Sequence, residues 1–252
     1  MDNENLRDKI KDFLQGLPGK YTILEERIPV EVQLTYFEFT RKIKEDLDKS
    51  TVMSEADKLF APEYSISDKK ELLARLASLP EVEAYRTIEK FSGTPDTGLE
   101  QWSKLALLES RMLLESFLTD EGQVLIASGL GGKNGLLRYF FVGFLKENIA
   151  ITDAQKKVID NEFEAGISQQ SGVIENTEFS SFYFTLTCLL PVQSEIHELF
   201  KRMTRECNVY GSFLRDNFIV TNVKFLNDKE IQSFVTLMDK PDHIKPFEAH
   251  EE

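Results

Sequence analysis

Residues 124–144, VLIASGLGGKNGLLRYFFVGF, place two apolar runs on either side of four glycines, Gly129, Gly131, Gly132 and Gly135, that fall within seven residues. Neither run has helical spacing. Each is apolar on both sides of an extended chain, so both read as strands in the interior of a sheet. Glycine adopts positive φ freely and leaves backbone N–H groups uncovered, so the turn between them is expected to be a tight hairpin or an anion nest. The other elements read as helices and strands arranged before and after this unit.

The turn departs from the known phosphate loops. A P-loop needs a glycine, four residues and then Gly-Lys-Ser/Thr. Here Gly132-Lys133 is present, but Ala127 stands at the first glycine position and Asn134 at the hydroxyl position. A dinucleotide fingerprint opens a helix, whereas these glycines open LLRYFFVGF, so a bound anion would lack the helix N-terminus that normally holds it. The turn is still the best candidate contact for a small anionic ligand or a partner, through Gly129, Gly131, Gly132, Lys133, Gly135 and Arg138. The competing reading is architectural: the glycines make the bend, Lys133 is solvated and Arg138 pairs with a nearby carboxylate.

Charge narrows the field. The 252 residues carry a net charge of −13. Residues 158–199 contain seven carboxylates and no lysine or arginine, while residues 122–157 and 200–226 are each net +3. A general basic field for duplex nucleic acid or an anionic membrane is therefore not expected, although Lys133, Arg138, Lys201, Arg202 and Arg205 would form one patch if the fold gathered them. No run of about 20 apolar residues marks a membrane helix. The polar N-terminus MDNENLRDKI has no signal core, which argues against export. Cys188 and Cys207 then read as two reduced, buried thiols in a cytoplasmic protein.

Periodicity supplies the elements. Leu6, Ile10, Phe13 and Leu14 share a face of a helix over 4–15. Val32, Tyr36, Phe39, Ile43 and Leu47 mark a helix after Pro29, in competition with a strand through Val30, Val32, Leu34 and Tyr36. Residues 50–67 read as irregular, with Ser67 capping a helix from Asp68. Further helices are expected from Pro80 and over 98–118, with Gly93–Gly98 between them. The pair over 80–118 is similar to one HEAT-type repeat, a resemblance of pattern that would imply protein binding, with a plain bundle as the alternative. A helix capped at Thr152 follows the glycine turn. Ser180–Leu190 reads as a strand with Phe182, Phe184, Leu186, Cys188 and Leu190 on its buried side. Its Tyr183, Thr185 and Thr187 side is expected to be half open or to cover another domain. A helix from Ser194, a strand over Phe218–Phe225, a helix from Asn227-Asp228 and a solvated tail from Asp239 complete the chain.

The expected fold class is α+β. A helical domain over 1–120 is followed by a two-layer α+β sandwich over 121–238, with element order ββαβαβα, and an acidic tail over 239–252. Tyr139, Phe141, Val142 and Phe144 resemble part of the aromatic strand of an RNA-recognition motif, but stacking bases there requires an open sheet face. His197 fits no zinc spacing, Ser67-x-x-Lys70 reads as a helix cap, and no Gly-x-Ser-x-Gly elbow occurs. No catalytic residue, metal or cofactor is assigned. The reading that follows is a non-enzymatic interaction or regulatory protein whose partner is another protein, with nucleic acid and membrane disfavoured. The alternatives are an enzyme or sensor holding a small anion at the glycine turn and, behind it, an RNA binder.

Overall fold

The computed structural model describes residues 21–43, 47–146 and 151–238; the helix expected over 4–15 and the tail from Asp239 lie outside the described residues. The fold is α+β. In chain order the elements are β1 (Tyr21–Ile23), α1 (Val30–Ile43), α2 (Lys49–Ser54), a 3-10 turn (Ala56–Phe60), α3 (Ile66–Ala77), α4 (Val82–Gly93) and α5 (Glu100–Thr119). They continue with β2 (Val124–Ile126), β3 (Gly132–Lys133), β4 (Leu136–Leu145), α6 (Asp153–Gln169), β5 (Val173–Phe179), β6 (Tyr183–Leu190), α7 (Ile196–Val209), β7 (Leu214–Thr221) and α8 (Asp228–Met238).

The helical half follows its periodicities. Pro29 precedes α1, where its missing N–H costs nothing and its carbonyl accepts from Gln33. Tyr36 is fully buried, its ring edge-on to Trp102 at 5.0 Å and its hydroxyl donating to Glu109 Oε2 at 2.6 Å. The region expected to be irregular contains α2 and the 3-10 turn. Asp48 caps α2 by accepting from Thr51 N, and Val52, Ala56 and Leu59 bury one apolar side that the surrounding polar residues obscured. Ser65, not Ser67, caps α3. The HEAT-like pair corresponds to α4 and α5, but α3 packs on both and α1 on α3 and α5, so the pair is part of one bundle.

The strands differ from the expected hairpin. β2 does not pair with β4. It lies parallel to β1, with Tyr21 opposite Val124 and Ile23 opposite Ile126. The hairpin partner of β4 is the two-residue β3. Two further corrections are the omitted strand β5 and the early placement of β7, which ends at Thr221 where the sequence suggested Phe225. In the main sheet β6 lies between β4 and β5, and the other edge of β4 is shared by β3 and β7. From β4 to β7 the order is βαββαβ, with every neighbouring pair antiparallel, which is the split βαβ arrangement of ferredoxin-like folds.

This topology accounts for the unbroken apolar run of β4. On one face, Tyr139, Phe141 and Leu145 join Phe184, Leu186 and Cys188 of β6 under α6 and α7, which contribute Phe163, Ile167, Phe200 and Met203. On the other face, Phe140, Val142 and Phe144 pack with Tyr183, Leu130 and Ile231 of α8. A strand covered on both sides and paired along both edges has no position left for a polar alternation.

Candidate functional site

The glycine turn is built by close approach of backbone. A Cβ on Gly129 would meet the Val223 carbonyl oxygen at 1.9 Å. Gly131 has φ +67, and a Cβ there would stand 2.4 Å from the Glu25 carbonyl oxygen. The donors that an anion nest needs have partners within the protein: Leu130 N donates to Asn222 O at 2.9 Å and Gly132 N to Glu25 O at 3.1 Å. Asn134 N donates to the Glu25 carboxylate at 2.8 Å, so this loop already holds an internal anion.

Arg138 points away from the loop's solvent side. Its Nε and Nη2 donate to the two oxygens of Glu175 at 2.5 and 2.9 Å, and its Nη1 donates to Leu130 O at 2.8 Å. The bond to Arg138 is the main cause that lowers the Glu175 pKa, and the same bond raises that of Arg138. Lys133 is exposed, and Gly135, at φ +76, opens onto a groove beside α5. Tyr139 and Phe141, the aromatic residues of the RNA-recognition likeness, lie under the helices, with Phe141 stacked on Phe200 at 4.5 Å, so neither can stack a base. Lys70, the lysine of the Ser-x-x-Lys run, lies over the Trp102 ring with its Nζ 4.9 Å from the centroid, and its neighbour Lys69 is buried against Asp96. His197 is exposed on α7 against Phe218. Among the described residues no group of three or more His, Cys, Asp or Glu side chains is disposed to hold a metal ion.

A cleft of about 340 Å³ opens on the second face of the sheet, between β5, β6 and α8, within the size range of small-ligand sites. Phe140, Tyr183 and Phe225 supply aromatic walls, Thr185 and Thr187 line the β6 side, and Phe179 borders the cleft while its ring packs on Phe184 across the sheet. This is the β6 side that the sequence marked as half open. Its remaining parts come from β5 and from the segment entering α8, which no local pattern connects to it. Two carboxylates reach the cleft, Glu178 from β5 and Asp228 from the first turn of α8.

Both carboxylates have neutral partners. The Tyr183 hydroxyl donates to Asp228 Oδ1 at 2.7 Å, and the Asn176 amide donates to Glu178 Oε1 at 2.8 Å. Burial and then the bond to Asp228 raise the Tyr183 pKa, with the charges of Asp228 and Glu178 adding to the shift, so both charges lie near the same hydroxyl. Among the described residues no lysine or arginine lines the cleft. One face of Phe225 already carries a cation, the Arg27 guanidinium 4.3 Å from the ring centroid, while Phe140 meets the ring edge-on at 5.2 Å.

No protein-family model and no curated protein matches the chain. Among solved structures, a candidate transposase from Deinococcus radiodurans R1 is 13% identical over 40% of this chain and 90% of its own, with a TM-score of 0.34. A REP-associated tyrosine transposase bound to a REP hairpin is 11% identical over 39% of this chain and 61% of its own, with a TM-score of 0.31. These neighbours correct two expectations: a non-enzymatic interaction or regulatory protein, and a protein partner with nucleic acid disfavoured. Both neighbours are named as transposases and one is bound to a hairpin. At such TM-scores the likeness transfers neither activity nor partner to this chain.

Proposed function

We propose that this protein binds a small organic cation in the cleft on the second face of its sheet. The observation that carries this reading is the pairing of aromatic walls with two carboxylates whose hydrogen-bond partners among the described residues are neutral, in a cleft where no described lysine or arginine forms the lining. A desolvated ammonium gains from the negative faces of aromatic rings, and nearby carboxylates add charge-assisted hydrogen bonds. The surrounding chain reinforces the sign, because β5 and β6 belong to the stretch over 158–199 that contains no lysine or arginine. A phosphate-bearing ligand would meet repulsion there from both Glu178 and Asp228.

The proposed setting is the cytoplasm. Cys188 and Cys207 are both free and buried, which suits a reducing compartment. None of the described helices is long and apolar enough to cross a membrane.

Calorimetric titration with putrescine, agmatine and choline tests the reading, with glucose and acetate as matched neutral and anionic probes. At least one of the three cations should bind, with affinity falling at least about tenfold in Glu178→Gln and in Asp228→Asn. Binding of glucose or acetate in preference to every cation, or cation binding unchanged in both variants, would overturn it.

A further inference from the structure

We propose a second ligand site, for a zwitterion of the α-amino acid type, in the groove between α5 and β1. This groove has a volume of about 470 Å³ and is separate from the sheet-face cleft. Its two walls carry opposite charge. Lys104 and Arg111 stand on α5, seven residues apart and so about 10 Å along one side of the helix. Glu25 and Glu26 stand on the segment that follows β1. Ile23, Leu107 and Leu108 lie between the walls as an apolar floor.

Among the described residues no ion pair joins the two walls. Lys104 and Arg111 are exposed and make no hydrogen bond or ion pair among the described residues, while the Glu25 carboxylate accepts from the Asn134 N–H and also feels the charge of Arg138. The walls are held in place by backbone bonds: β1 pairs with β2, Leu24 N donates to Ile126 O at 2.9 Å, and Gly132 N donates to Glu25 O at 3.1 Å. Gly135 keeps the rim open, since nothing lies within 4 Å of the position its Cβ would take. A groove lined by a lysine and an arginine on one side and by glutamates on the other is matched by a molecule that brings both an ammonium and a carboxylate. The apolar floor favours a hydrocarbon side chain on that molecule.

The test is calorimetric titration of L-leucine, N-acetyl-L-leucine and L-leucinamide into the full chain carrying Glu178→Gln/Asp228→Asn, which removes both sheet-face carboxylates and separates the two sites. L-leucine should bind, and each blocked analogue should bind at least about tenfold more weakly. Affinity for L-leucine should fall by a similar factor in Lys104→Met/Arg111→Met and in Glu26→Gln, with thermal midpoints close to the parent's. Equal binding of the N-acetyl compound would mean a simple anion site, and equal binding of the amide a simple cation site. Either result, or no binding of L-leucine, or binding unaffected by these variants, overturns the proposal.

Discussion

A Cβ atom on Gly143 would stand 2.3 Å from Cε1 of Phe184, its cross-strand partner on β6. The Phe184 ring occupies the place of the missing side chain. It is fully buried and packs against Phe141 at 5.6 Å and Phe163 at 5.3 Å between ring centroids, so it has nowhere to swing. Gly143→Ala should therefore destabilise by about 1–3 kcal/mol through overpacking. Phe184→Ala should cost about 3–5 kcal/mol through the cavity it leaves. Phe184→Leu should recover part of the Gly143→Ala loss. Urea denaturation with an unchanged slope measures all three, and a loss below about one kcal/mol for Phe184→Ala would place this face outside the core.

Arg138 and Lys133, one apart from the other by five positions, should behave differently. Arg138 clamps β4 to β5 through Glu175 and holds the glycine turn through Leu130 O. Arg138→Ala leaves Glu175 without its cation and should cost about 1–3 kcal/mol, whereas Lys133→Ala should change stability by less than about 0.5 kcal/mol. The pH dependence follows the same pair. The folded pKa of Glu175 is lowered, so its contribution is present above the carboxylate's unfolded pKa and is lost as pH falls through the folded one. The stability difference between wild type and Glu175→Gln should shrink in acid. A difference independent of pH would show that the pair contributes nothing through charge.

Both thiols should be unreactive in the folded protein. Burial is the first cause that pushes Cys188 and Cys207 up to about 12, so both are neutral at pH 8 and lack the nucleophilic thiolate. Ellman's reagent at pH 8 should titrate neither until denaturant is added. The linkage has the opposite sign to that of Glu175. The unfolded thiols ionise near about 8.5 while the folded ones keep their protons, so stability should fall as pH rises from there towards 12. Fast labelling of the native protein would contradict this burial.

The junction at residues 119–123 should be open to proteolysis. Asp120 ends α5 in the left-handed region at φ 55, and Glu121 and Gly122 are exposed. Endoproteinase Glu-C should cut after Glu121. The fragments should co-elute on size exclusion, because β1, from the N-terminal side of the cut, pairs with β2 and places Ile23 in the sheet's core. Resistance to cleavage up to global unfolding would mean that the junction does not open independently.

The elements legible in the sequence are those whose burial repeats along their own length. Tyr36 and Phe39 on α1, Ile88 and Phe91 on α4, and Trp102 and Leu105 on α5 recur at helical spacing because one side of each helix meets the core. Phe184, Leu186 and Cys188 alternate because one face of β6 does. The apolar run of β4 likewise announced a strand in the interior of a sheet. β5 escaped because it is an edge strand, rich in exposed polar residues, with a register shift between Ile174 and Asn176 that breaks its alternation.

What only the tertiary structure decided is which segments meet. The sequence by itself showed that the glycines stand in a turn. That Gly129 faces Val223 and Gly131 faces Glu25 depends on chain segments about a hundred residues away. It showed that Arg138 is a lone cation in an apolar strand, and left its partner, 37 residues on, undetermined between a ligand and a carboxylate. The cleft joins Phe140, Glu178, Tyr183 and Asp228 from three strands and a helix. Periodicity reports how each segment divides its surface between water and core, a property of that segment alone. The choice of partner is settled by packing and pairing energies among distant segments, and these leave no repeating mark in the local order of residues.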